Sequence, residues 1–172
     1  MALDVSYIVF KKLACLVFPR NYISSCILLQ PKKYYVVTVG DVMQGYAPGI
    51  SYNMFDENGV ETQGNISLGV LVTEGITATL HENGIDVWVV VKKAASADYY
   101  SFLLTCTGFE DPVISSVGRS VSSDQARGGL AFSHDGKKLA SCFPGTGVTQ
   151  ATIYDFNKTT GKILNFYLLL LL

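Results

Sequence analysis

Tyr34-Tyr35-Val36-Val37-Thr38-Val39, Asp86-Val87-Trp88-Val89-Val90-Val91 and Lys138-Leu139-Ala140-Ser141-Cys142-Phe143 decide how this chain is read. All three are short, rich in β-branched or aromatic residues, and flanked by turn-forming residues, which predicts strands. Each leads through a loop to a second strand, at Ile50–Phe55, Tyr99–Thr105 and Gln150–Phe156. A glycine turn then follows, at Gly59, Gly108 and Gly161. Tyr35 to Val87 and Val87 to Leu139 are both 52 residues, and Gly84 to Gly136 is again 52. A period near fifty built from short strands predicts a propeller-like repeat rather than a single sandwich. The expected fold is therefore all-β, a partial β-propeller of about three four-stranded antiparallel blades.

The turn chemistry sets the strand boundaries. Asp56-Glu57-Asn58-Gly59, Asn83-Gly84 and His134-Asp135-Gly136-Lys137 read as tight hairpin turns, with Asn58-Gly59 supplying positive φ and with Asn83 and Asp135 bonding nearby amides. Gly161 closes the last of these turns, Asn157–Lys162. The blades are expected at 26–75 (partial), 76–127 and 128–167, with 1–25 unassigned and 168–172 an apolar tail. Lys92–Asp98 is read as a loop between strands.

Composition narrows the function classes. At 172 residues, with 49% hydrophobic and 16% charged residues, the chain has material for an ordered core. Thirteen basic residues nearly balance fourteen acidic ones, so no electrostatic feature points to nucleic acid or an anionic membrane surface. The terminal run Phe166–Leu172 is much shorter than the roughly 20 residues of a membrane-spanning helix, so no span is expected. It reads as a cut or read-through end. Residues Tyr7–Phe18 are apolar but broken by Lys11-Lys12, a poor match to a secretory signal. Cys15, Cys26, Cys106 and Cys142 lack metal-ligand spacing and sit in or beside apolar stretches, as small buried residues do; geometry alone decides whether Cys15 and Cys26 bridge.

Leu130-Ala131-Phe132-Ser133-His134-Asp135-Gly136-Lys137-Lys138-Leu139-Ala140, with Ile153-Tyr154-Asp155-Phe156 and Thr160-Gly161-Lys162, resembles a bacterial WD-repeat-like propeller blade. His81-Glu82-Asn83-Gly84-Ile85-Asp86-Val87-Trp88-Val89-Val90, together with Ile27–Val39, is similar to the N-terminal propeller of large Bacteroidetes surface proteins. Many of those carry a gliding-motility-associated C-terminal sorting domain. The likeness spans about residues 26 to 166. It implies a cell-surface or secreted parent, of which this chain is expected to be a fragment. Its implied partners are other blades or domains of a longer chain and a protein or glycan ligand, with self-association through open blade edges.

No chemistry is predicted: no catalytic residue, no metal and no cofactor. The adjacent pairs His81-Glu82 and His134-Asp135 point to opposite strand faces and form no chelate or base–orienter pair. Gly145-Thr146-Gly147 opens no helix, as a phosphate-cradling loop would. Trp88, mid-strand among valines, is expected in the core. Tyr34, Tyr35, Tyr99 and Tyr100 begin strands and are the expected binding rim. The expected function is a non-catalytic binding or scaffolding module. The competing class, a fragment of a lactonase- or glycosidase-like propeller hydrolase, requires His81, Asp86 and His134 to converge on a channel.

Overall fold

A computed structural model of the chain describes residues 8–10, 13–16, 25–30, 33–40, 49–122, 125–143 and 150–170. Residues 41–48 and 144–149, the latter holding Gly145-Thr146-Gly147, lie outside the described residues, as do Ser123, Asp124 and the last two leucines.

Among the described residues, fifteen strands form three antiparallel sheets. The first sheet runs in chain order through β1 (Ile8–Phe10), β2 (Leu13–Leu16), β3 (Ser25–Gln30), β4 (Lys33–Val39), β5 (Ile50–Asp56) and β6 (Glu61–Ser67). The second holds β7 (Val72–Leu80), β8 (Val87–Lys93) and β9 (Asp98–Thr105), with β10 (Gly108–Phe109) and β11 (Val113–Ser116) both paired to β9. The third is a four-stranded meander of β12 (Gly129–Phe132), β13 (Lys138–Phe143), β14 (Gln150–Phe156) and β15 (Ile163–Leu170). Neighbours in sequence pair in space, so hairpins of local register build each sheet.

Three boundaries differ from the sequence reading. Residues assigned to no element contribute β1 and β2 to the first sheet. The second sheet, its blade expected from residue 76, begins with a strand at Val72, and β15 runs to Leu170, into the apolar tail. Cys15 and Cys26 stand opposite each other in the β2–β3 register, while their sulfurs lie outside the described side chains.

Burial explains why β8 is nearly all apolar. Val87, Val89 and Val91 point into one core with Tyr35, Val37, Val39 and Ile50 of the first sheet. Trp88 and Val90 point the other way, into a second core with Leu139, Phe143, Tyr154, Phe156 and Ile163 of the third sheet. Alternate residues of one strand thus serve two cores, and a strand covered on both faces needs no polar positions. β13 shows the contrast. Leu139, Ser141 and Phe143 are buried while Lys138, Ala140 and Cys142 are exposed, so only one face of the third sheet is covered.

The second and third sheets are also tied through their turns. The Trp88 indole Nε1 donates to the Lys158 carbonyl at 2.8 Å, and the Glu82 amide donates to the same carbonyl at 3.3 Å. His81 Nε2 lies 3.1 Å from the Thr159 carbonyl. The Asn157–Gly161 turn is shaped for this docking: Asn157 Oδ1 accepts from the amides of Thr159 and Thr160 at 3.0 Å. Gly161 then passes against Trp88 at φ +69°, where an added Cβ would sit 2.6 Å from the indole ring.

Gly161→Ala therefore carries two costs: the left-handed backbone, about 1–2 kcal/mol, and overpacking against the ring, about 1–3 kcal/mol. Gly84 is the natural control, with the same φ of +69° but open space around the added Cβ. Gly84→Ala is expected to lower the denaturant midpoint by the backbone cost alone, and Gly161→Ala by about twice as much. Equal losses would mean that the indole contact adds nothing.

Candidate functional site

The four tyrosines expected to form a rim differ in exposure. Tyr34 is 36% exposed and Tyr100 is partly buried, but Tyr35 and Tyr99 are 2% and 1% exposed. That corrects the reading of all four as a rim. Adjacent strand residues point to opposite faces, and in β9 both faces are covered. Tyr35 is held by Phe109, whose ring meets it edge-on at 6.0 Å and lies 4.9 Å from the ring of Tyr52. The expected burial of the cysteines also fails where it can be judged. Cys106 sits in the exposed turn after β9, and Cys142 on the uncovered face of β13.

The turn residues sit at hairpin ends and are occupied there. Asn83 Oδ1 accepts from the amides of Ile85 and Asp86 at 3.0 and 3.1 Å, and its Nδ2 donates to Asp86 Oδ2 at 2.7 Å. Asp135 Oδ1 accepts from Ser133 Oγ at 2.6 Å and the Lys137 amide at 3.0 Å, which holds its carboxyl below the usual range. Asp56 plays the corresponding part ahead of Asn58 and Gly59, accepting from the Asn58 and Val60 amides at 2.9 Å. His81 is engaged in the same way: its Nδ1 accepts from the Asn83 amide at 3.0 Å. His81 and Asp86 therefore work as turn and inter-sheet contacts, and His134 lies in the exposed β12–β13 turn. Among the described residues no group of three or more His, Cys, Asp or Glu side chains is placed to hold a metal.

The polar feature that sequence reading passed over lies between the second and third sheets. Lys92 on β8, Tyr99 on β9, Arg119 and Val121 on the β11–β12 connection, Ser141 and Phe143 on β13, and Thr152 and Tyr154 on β14 line one small cleft. It leaves room for about one water molecule. The Tyr99 hydroxyl donates to Ser141 Oγ at 3.0 Å and lies 3.3 Å from the Tyr154 hydroxyl. Burial, reinforced by the neighbouring Tyr154 phenol, drives the Tyr99 phenol far above its ordinary value, so it stays protonated.

Lys92 is the unusual member. Its side chain is 1% exposed, and its ammonium has no hydrogen-bond partner. The ammonium lies 4.1 Å from the centre of the Tyr99 ring, a cation–π contact. Burial brings its pKa down from 10.5 to about 8; attraction to Asp98 opposes the drop and repulsion from Arg119 adds to it. Asp98 itself is bonded to Ser116 Oγ at 2.5 Å. A period-two reading carried one step past Val91 would have put Lys92 on the inward face with Trp88 and Val90.

Compared with known proteins, the chain matches no family model, no curated protein and no solved structure. Among the described residues no helix is long and apolar enough to cross a membrane.

Proposed function

We propose that the chain is a non-catalytic binding or scaffolding module, a run of WD-repeat-like propeller blades belonging to a larger bacterial surface protein. The observation that carries this reading is the graded burial of the sheets. The middle sheet is covered on both faces by its neighbours in sequence, whereas the third is covered on one. Units that hide their faces against the next unit in the chain behave as a repeat array. The strand meanders, the 52-residue spacing and the turn that docks the third sheet onto the second support the same reading. The engagement of His81 and Asp86 in turn contacts favours binding over hydrolysis.

Three sheets fall short of the about four to eight blades that close a propeller ring. The open face of the third sheet carries the small residues Ala131, Ala140 and Cys142 beside the Lys138–Asp155 ion pair, with Leu164 and Tyr167 exposed at 47% and 52%. In this reading that face receives a further sheet, from the parent chain or from a second copy. The purified chain should therefore run as a discrete dimer or trimer in light scattering, with strand-type circular dichroism. Leu164→Glu with Tyr167→Glu should return it to a monomer. A wild-type chain that stays a folded monomer at every concentration would sink the proposal.

A further inference from the structure

We propose that Asn58, in the turn between β5 and β6, is a site of spontaneous isoaspartate formation, and that the fold protects Asn83 from the same reaction. Asparagine is thermolabile, and a following glycine, with no Cβ, leaves its own nitrogen open to attack the side-chain amide carbon. The chain holds two such pairs, Asn58-Gly59 and Asn83-Gly84. Their backbones match. The Gly59 amide donates to the Asp56 carbonyl at 3.1 Å, and the Gly84 amide to the His81 carbonyl at 3.0 Å. Both glycines have positive φ, +77° and +69°, and an added Cβ would meet nothing within 4 Å at either.

The side chains differ. Asn83 is held at both ends of its carboxamide, by the Ile85 and Asp86 amides on Oδ1 and by Asp86 Oδ2 on Nδ2. In the other turn Asp56 takes that part, accepting from the Asn58 and Val60 amides. Asn58 is exposed; its side chain meets the Asp56 carboxylate, but among the described residues no backbone amide holds its Oδ1. It can therefore turn its carboxamide toward the Gly59 nitrogen. That nitrogen gives its proton to hydroxide and bonds to Asn58 Cγ; the Cγ–Nδ2 bond breaks and ammonia leaves, protonated by water. The cyclic imide then takes up one water and opens at either carbonyl, to aspartate or isoaspartate. Nothing is oxidised or reduced. The isoaspartate product lengthens the main chain by a methylene and adds a negative charge beside Asp56 and Glu57, at the tip of the β5–β6 hairpin.

The test incubates the full chain at pH 8, native and in concentrated urea, and follows both asparagines by peptide mapping that separates aspartate from isoaspartate. In the native chain Asn58 should convert at least about tenfold faster than Asn83, roughly the factor that one net hydrogen bond contributes to a barrier. In urea the two rates should converge, because Asn83 loses its restraints while its sequence is unchanged. Asp86→Ala should raise the native rate at Asn83, and Asn58→Gln should remove the isoaspartate signal from the β5–β6 peptide. Equal native rates at the two sites would overturn the proposal, since sequence alone would then set them. An Asn58 that stays intact when native but converts in urea would overturn it as well.

Discussion

Trp88→Ala should destabilise the fold by about 3–5 kcal/mol, the range for truncating a large buried aromatic side chain. Three losses coincide at this residue. The indole fills the core between the second and third sheets, where it is 3% exposed and packs edge-on against Phe156 at 6.3 Å. Its N–H satisfies the Lys158 carbonyl. Its ring is the surface on which Gly161 rests. Because a domain of this size has only about 5–15 kcal/mol to lose, the variant should be largely unfolded at moderate urea, where the wild type remains native. Trp88→Phe keeps much of the ring but drops the N–H, and should cost about 1–3 kcal/mol. Far-UV circular dichroism against urea reads the global loss, and amide exchange along β12–β15 reads whether the third sheet opens first. A loss below 1 kcal/mol for Trp88→Ala would mean that the turn contacts and remaining core hold the sheets without the indole.

The sequence signals that worked were those in which one residue's neighbours along the chain decide its environment. Asn83, Asp135 and Asn157 act on amides two or three residues away, so their roles are visible from local spacing alone. The unbroken apolar run Val87–Val91 marks a strand covered on both faces, and it places Trp88 in the core. What failed depended on partners distant in sequence. Tyr35 and Tyr99 resemble rim residues because they begin strands; they are buried because Phe109 and Tyr154, contributed by other strands, close over them. Cys142 reads as apolar core, yet β13 has only one covered face and the alternation puts the thiol on the other. β1 and β2 lie in a stretch whose charges break its apolar pattern, and their place in the sheet comes from pairing, β1 with β2 and β2 with β3. Lys92 was missed for a related reason. A charged residue at the end of a valine run signals the start of a loop, and only the arrival of the third sheet turns that position into a core.

Lys92→Met should stabilise the protein by about 3 kcal/mol at pH 7, the reverse of the usual outcome of a core substitution. Methionine keeps the length and flexibility that fill the space beside Tyr99 and removes the cost of burying a charge. The same cost predicts an unusual pH profile. The amine titrates at about 8 in the folded state, against 10.5 ordinarily. Between those values the unfolded chain binds the proton and the folded chain does not, so stability rises with pH across that interval. Below about pH 8 the amine is charged in both states and the full penalty is present; the gain on deprotonation is about 3 kcal/mol, at 1.36 kcal/mol per pH unit. Tyr99 bounds the window from above. Its phenol resists ionisation when folded but not when unfolded, so its contribution to stability falls away as pH passes about 10. The wild-type urea midpoint should therefore climb from pH 8 to pH 10 and then turn down. Lys92→Met should start higher, stay flat over the same range, and meet the wild type near pH 10. Parallel profiles for the two proteins would mean that the ammonium is compensated in solution. A Lys92→Met variant less stable than the wild type at pH 7 would mean that the cation–π contact with Tyr99 outweighs the desolvation of the charge.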